Sequence, residues 1–129
     1  MTNLDPIIAV DNVKASAELY HRIFGFINAH GGENFAVLTT ENGDIILCHH
    51  KWSEHEHPSL TDKTLPTGNG LVLYFRTNDL ETIRKKVGEV GIPIEVEIHL
   101  NPNSLKKKFS FKDLDGYYLT VTKFHKYEG

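Results

Sequence analysis

The chain has 129 residues, of which 40% are hydrophobic and 24% charged, and its formal net charge is −3. That length favours one domain over two and can bury a core without disulfide or metal staples. The acidic excess argues against a nucleic-acid partner, because phosphate binding wants a clear basic surplus, and weakly favours neutral or cationic ligands. Cys48 is the only cysteine and has no thiol to pair with, which fits a reducing compartment. Residues 1–6 lack a basic stretch followed by an apolar run, and no segment approaches the roughly 18 apolar residues of a spanning helix. No signal peptide and no membrane partner are therefore expected, and the expected location is cytoplasmic.

In chain order, residues 6–10 read as a strand. From Val13 to Phe24, apolar or small residues recur at Val13, Ser16, Ala17, Tyr20, Ile23 and Phe24, which is the spacing of a helix with one buried face. Asn12 can cap its start and Gly25 can end it in a left-handed conformation. Three strand-like runs follow at residues 26–29, 35–40 and 44–50, with Gly31, Gly32, Asn42 and Gly43 at the turns. Residues 51–69 read as a linker.

Residues 71–77 then form a strand, and Leu80, Ile83, Val87 and Val90 mark a second helix over residues 80–90. Asn78 or Asp79 can cap it and Gly91 follows it. Strands are expected at residues 94–100, 107–112 and 117–124, with Asn101, Pro102, Asp115 and Gly116 at the turns.

The second half repeats the first. An offset of 67 positions lays Val13 on Leu80, Ser16 on Ile83, Tyr20 on Val87 and Ile23 on Val90. Each half reads βαβββ, and a repeat of this length predicts two similar lobes. The expected fold is α+β: two tandem βαβββ units, at about residues 4–50 and 70–126 of a single 129-residue domain, forming curved mixed sheets around a central cavity with the helices outside.

Three stretches carry a family resemblance. Val10, Asp11, Asn12 and Val13, running through Ser16 and Tyr20 to Phe24, Gly25 and Phe26, form the first. Residues 74–80 form the second, and Asp113, Leu114, Asp115, Gly116 and Tyr117 the third. Together they resemble the vicinal oxygen chelate superfamily, which includes glyoxalase I, bleomycin resistance proteins, fosfomycin resistance transferases and extradiol dioxygenases. Leu114 stands where that family usually has proline. The resemblance covers nearly the whole chain and is specific for fold rather than for activity.

The resemblance also implies where metal ligands would sit, at inward positions on the first and last strands of each unit. The first-strand position maps to Asp5, with Val72 as its counterpart in the second unit. The last-strand position, four residues after the turn glycine, maps to Leu47 and to Thr120. Valine and leucine carry no donor atom and threonine is a poor ligand, so no metal site and no cofactor are expected. A one-residue slip in the fourth strand would substitute Ile46 or Cys48.

Strand alternation assigns the remaining side chains. Leu119, Val121, Phe109 and Phe111 suit the helix-covered face. Tyr118, Thr120 and Thr122, Lys108, Ser110 and Lys112, Tyr74 and Arg76 are left for the cavity. In the first unit the same logic turns Ile45, Leu47 and His49 to the cavity and Cys48 into the core beside Ile46. The candidate ligand-binding set is Leu47, His49, Trp52, Tyr74, Arg76, Ser110, Tyr118 and Thr120. Aliphatic groups with a few orienting polar ones make an organic-ligand site. Arg76 has two readings, a fork for a ligand carboxylate or an ion pair across the sheet. Trp52 either borders the ligand groove, as in bleomycin-binding members, or packs at an interface.

The chain has eight histidines, and His49, His50, His55 and His57 lie close together beside Glu54 and Glu56. Such residues can bind zinc or nickel, but the spacing matches no zinc motif, so a solvated loop is the expected reading. The run Lys106, Lys107 and Lys108 reads as a solvated edge that blocks edge pairing.

Three functions compete. The first is a metal-free protein of the bleomycin resistance type that binds a small, largely apolar or aromatic molecule in a cavity between the two units. The alternative is a metal-dependent lyase, isomerase or thiol transferase of the glyoxalase I type. The third is a non-catalytic dimerisation module. The resemblance implies a homodimer under all three.

Overall fold

A computed structural model of the chain describes residues 3–54, 59–60, 62–102 and 105–124. The chain divides into two compact units, Met1–Pro66 and Thr67–Gly129.

The first unit holds β1 (Ile7–Val10), α1 (Val13–Phe24), β2 (Ile27–Asn28), β3 (Phe35–Thr39) and β4 (Ile45–Lys51). Its sheet runs in the order β1-β4-β3-β2, with β1 parallel to β4 and the other pairs antiparallel. A parallel pair needs a long crossover, and α1 begins that crossover. The helix starts where expected, because the Asn12 side chain accepts the Ala15 N–H at 3.0 Å. It ends at Gly25, whose φ of 78° is left-handed. Val13, Ala17, Tyr20 and Ile23 are buried on the helix, as are Ile8, Val10, Ala36, Leu38 and Leu47 on the sheet.

The pairing of β3 with β4 is irregular at one point. Leu38 pairs with Leu47, but the next residue, Thr39, pairs with Ile45. Ile46 is thus an extra residue in β4, a β-bulge.

The second unit holds β5 (Val72–Thr77), α2 (Leu80–Glu89), β6 (Ile94–Leu100), β7 (Lys107–Lys112) and β8 (Tyr118–Lys123). Its sheet order, β5-β8-β7-β6, repeats that of the first unit, again with a parallel pair where the crossover helix requires one. Both units are βαβββ and the fold is α+β, as the repeat predicts. Leu80, Ile83 and Val87 are buried on α2, and Leu73, Phe109, Phe111, Leu119 and Val121 on the sheet. The rings of Phe109 and Phe111 stack with centroids 5.9 Å apart.

The repeat differs in detail at its ends. Asp79 occupies the N-cap of α2 without a side-chain cap bond, and its own N–H is taken by the Thr77 hydroxyl at 3.0 Å. Tyr117 belongs to the turn before β8, because Asp113 Oδ1 accepts the N–H groups of both Asp115 and Tyr117. Lys106 to Lys108 do not make an edge: β7 lies inside the sheet, between β8 and β6.

Candidate functional site

Each sheet has one face under its own helix and one face open, and the open faces are where functional side chains must be sought. Residues opposite one another in register share a face.

In the first unit His49 fixes which face is which. Its ring meets the ring of Tyr20, on α1, edge-on at 4.8 Å between centroids. His49 therefore lies under the helix, with its register partners Ile8 and Ala36. Leu47, two residues away, shares that face. Both had been expected on the open side, and the bulge at Ile46 explains the correction. Counting four residues from Gly43 lands on Leu47, but the extra residue moves the position to Cys48. The sheet pairing gives the same answer independently. Cys48 pairs with Ile7 as Thr120 pairs with Tyr74, and Tyr74 lies 67 positions after Ile7.

The open face of the first unit thus carries Ile7, Phe35, Val37, Cys48 and His50. Cys48 leaves the helix-side core that had been expected for it, yet it is buried. Burial pushes its thiol pKa up, and the negative charge of Asp5 pushes it further in the same direction. The His50 ring stands edge-on to Phe35, and its Nδ1 lies 2.7 Å from the Lys51 carbonyl oxygen. Trp52 follows β4 in a turn; its N–H donates to the Val10 carbonyl at 3.2 Å and its side chain is half-buried. Of the histidine-rich segment, Glu54 lies 3.9 Å from Lys51, while His55, Glu56 and His57 fall outside the described residues.

His49 is the residue that sequence reasoning placed least well. It is fully buried, and neither ring nitrogen has a hydrogen-bond partner among the described residues. The hydroxyl of Ser16, one turn before Tyr20 on α1, is unpartnered too. Desolvation lowers the pKa of the imidazole to about 4, so it is neutral at pH 7.

Along β5, β7 and β8 the second unit follows its expected alternation, while β6 carries two register shifts, between Ile94 and Val96 and between Val96 and His99. Tyr74, Arg76, Lys108, Ser110, Lys112, Tyr118, Thr120 and Thr122 share the open face. Ser110 and Thr120 are buried and their hydroxyls bond to each other at 2.9 Å. Thr122 Oγ1 donates to the Lys107 carbonyl at 3.3 Å. The Arg76 guanidinium lies 5.2 Å from the centroid of Phe124, a cation–π distance. Tyr74 and Val72 are 43% and 53% exposed, large for residues on a sheet face.

With the bulge counted, the donor positions implied by the resemblance fall on Asp5 and Cys48 in the first unit and on Val72 and Thr120 in the second. Among the described residues no three His, Cys, Asp or Glu side chains converge as a metal-binding group. None of their helices is long and apolar enough to cross a membrane.

Two βαβββ units with open, mixed sheets define the architecture of glyoxalase-like proteins. Residues 3–121 match the model of the Glyoxalase/Bleomycin resistance protein/Dioxygenase superfamily, and the chain belongs to that superfamily. No curated protein sequence matches it. Among solved structures, a protein of unknown function from Agrobacterium tumefaciens str. C58 is similar at 19% identity, with TM-score 0.78 over 97% of this chain and 95% of that one. TioX from Micromonospora sp. ML1 is similar at 17% identity, with TM-score 0.73 over 95% and 98% of the two chains. A lactoylglutathione lyase from Agrobacterium tumefaciens is similar at 16% identity, with TM-score 0.69 over 95% and 92%. At these identities the likeness is one of fold.

Proposed function

We propose that this chain is a metal-free member of its superfamily that binds a small, largely apolar or aromatic molecule on the open faces of its sheets, acting as a homodimer. The observation that carries this reading is the chemistry of the donor positions. Where metal-using relatives need imidazoles and carboxylates, this chain has Cys48, Val72 and Thr120 beside the lone carboxylate of Asp5. The first unit's face offers Ile7, Phe35 and Val37, and the second unit's offers Val72, Tyr74 and Tyr118, apolar and aromatic groups with hydroxyls among them. That mixture suits an organic ligand oriented by a few hydrogen bonds.

A ligand that binds only the folded chain raises its melting temperature. A thermal-shift series of aromatic compounds should therefore give a saturable rise for at least one of them. Metal analysis of the untagged protein should find less than stoichiometric zinc, nickel or manganese. A full equivalent of metal, lost together with any ligand effect in an Asp5→Ala variant, would overturn this reading in favour of a metal-dependent lyase, isomerase or transferase.

A further inference from the structure

The register of the second sheet arranges its open face in lateral rows. Arg76 pairs with Thr122, Thr122 with Lys108, and Lys108 with His99, so these four make one row across all four strands. The next row is Tyr74, Thr120, Ser110 and Val96. Neighbouring strands lie about 5 Å apart, and same-face residues along a strand about 7 Å apart. A row of three basic side chains around a hydroxyl therefore adjoins a row of three hydroxyls.

Lys108 is the unusual member. It sits half-buried on an interior strand, and no described carboxylate lies within ion-pair distance of it. The acids of β6 are engaged elsewhere. Glu97 holds Arg84 in a two-pronged contact at 2.7 and 2.8 Å, and Glu95 lies 4.0 Å from Lys112, toward the other end of β7. A partly desolvated ammonium without a counter-ion is costly to hold.

The hydroxyl row adds a second, independent observation. Ser110 and Thr120 carry two hydroxyl protons, and the bond between their oxygens uses one. No described residue accepts the other, although both residues are buried, at 4% and 5% exposure. Among the described residues the face thus presents a spare hydroxyl donor beside an ammonium with no carboxylate partner, which together ask for an oxygen-rich anion.

We infer that the open face of the second sheet is an oxyanion subsite, in which Lys108, with Arg76 and His99 in its row and the Ser110–Thr120 pair beside it, receives the acidic group of a small organic acid. The inference rests on the small-molecule reading and narrows it. It also reverses the expectation from net charge, because the summed charge of −3 hides a face whose local sign is positive. A carboxylate and a phosphonate share the required chemistry.

The test titrates the full chain with benzoate, phenylphosphonate, benzyl alcohol and benzamidine, followed by calorimetry and by amide shifts in β7 and β8. At least one of the two acids should bind ten or more times tighter than benzyl alcohol, and the better acid identifies the anion. Lys108→Gln should weaken that acid at least tenfold and leave benzyl alcohol unchanged, while Lys108→Arg should retain binding; melting temperatures confirm that both variants fold. Should benzyl alcohol or benzamidine bind as tightly as the acids, or Lys108→Gln leave acid affinity intact, the subsite is wrong and the small-molecule reading stands. If none of the four binds, both fall.

Discussion

The two sheets have the same strand order and the same crossover helix, yet they distribute polarity in opposite ways. The first sheet hides the His49 imidazole under its helix, and its open face is largely apolar, with Cys48 and the His50 imidazole buried among apolar neighbours. The second fills its helix side with Phe109 and Phe111 and puts hydroxyls and cations on its open face. A shared backbone thus fixes where side chains can point, while each unit decides independently which face bears its polar groups.

The largest effect that separates the units should come from His49. Its native pKa of about 4 lies below the ordinary value of 6.5. Between those values the unfolded chain takes up a proton that the folded chain refuses, so stability falls as pH drops through 6.5 and levels off below about 4. The difference corresponds to about 3 kcal/mol. His49→Phe keeps a ring against Tyr20 and removes both unpartnered nitrogens. The gap in unfolding free energy between that variant and the parent should therefore widen in its favour from pH 7 to pH 4, as read by urea denaturation. An unchanging gap would mean that His49 is protonated or paired in the folded chain.

How much of this was legible in the sequence follows from the same contrast. In the centres of β7 and β8 apolar and polar residues alternate, so Phe109, Phe111, Leu119 and Val121 on one side, and Ser110, Thr120 and Thr122 on the other, were readable from the period of two. Both helices were readable from their apolar spacing, and α1 from Asn12 and Gly25 as well. The strand Ile45–Lys51 was not. Its residues Ile45, Ile46, Leu47 and Cys48 are apolar at both parities, so hydropathy cannot choose a face, and nothing in that run marks Ile46 as a bulge. One unseen extra residue moved Leu47 and His49 under the helix and brought Cys48 out. The row around Lys108 was not legible for a different reason: only the register places Lys108 beside Thr122 and His99, and only the fold pairs the β6 acids Glu97 and Glu95 with Arg84 and Lys112.

A smaller effect should distinguish the open faces. Ser110→Ala removes one of two hydroxyls that bond to each other in a buried position, and should cost about 1–2 kcal/mol. Thr120→Val placed on top of it should cost little more, because the second hydroxyl has then already lost its partner. Equilibrium unfolding of the two single variants and the double variant measures that coupling. Strict additivity would show that the hydroxyls contribute separately. In the first unit the register counterpart of Thr120 is Cys48, a poor hydrogen-bonding group, so Cys48→Ala should lack any comparable coupling to its neighbours.

The smallest difference lies at the helix starts. Asn12 makes its cap bond to the Ala15 N–H, and Asn12→Ala should lose about 1 kcal/mol. Asp79 occupies the matching place on α2 without such a bond, so only the attraction between its charge and the helix N-terminus is at stake. Asp79→Ala should therefore cost a few tenths of a kcal/mol, and that loss should shrink at high salt, whereas the Asn12→Ala loss should not. Equal losses at both positions, or a salt-insensitive loss at Asp79, would mean that the second unit caps its helix as the first does, and the contrast between the units would then be confined to their sheets.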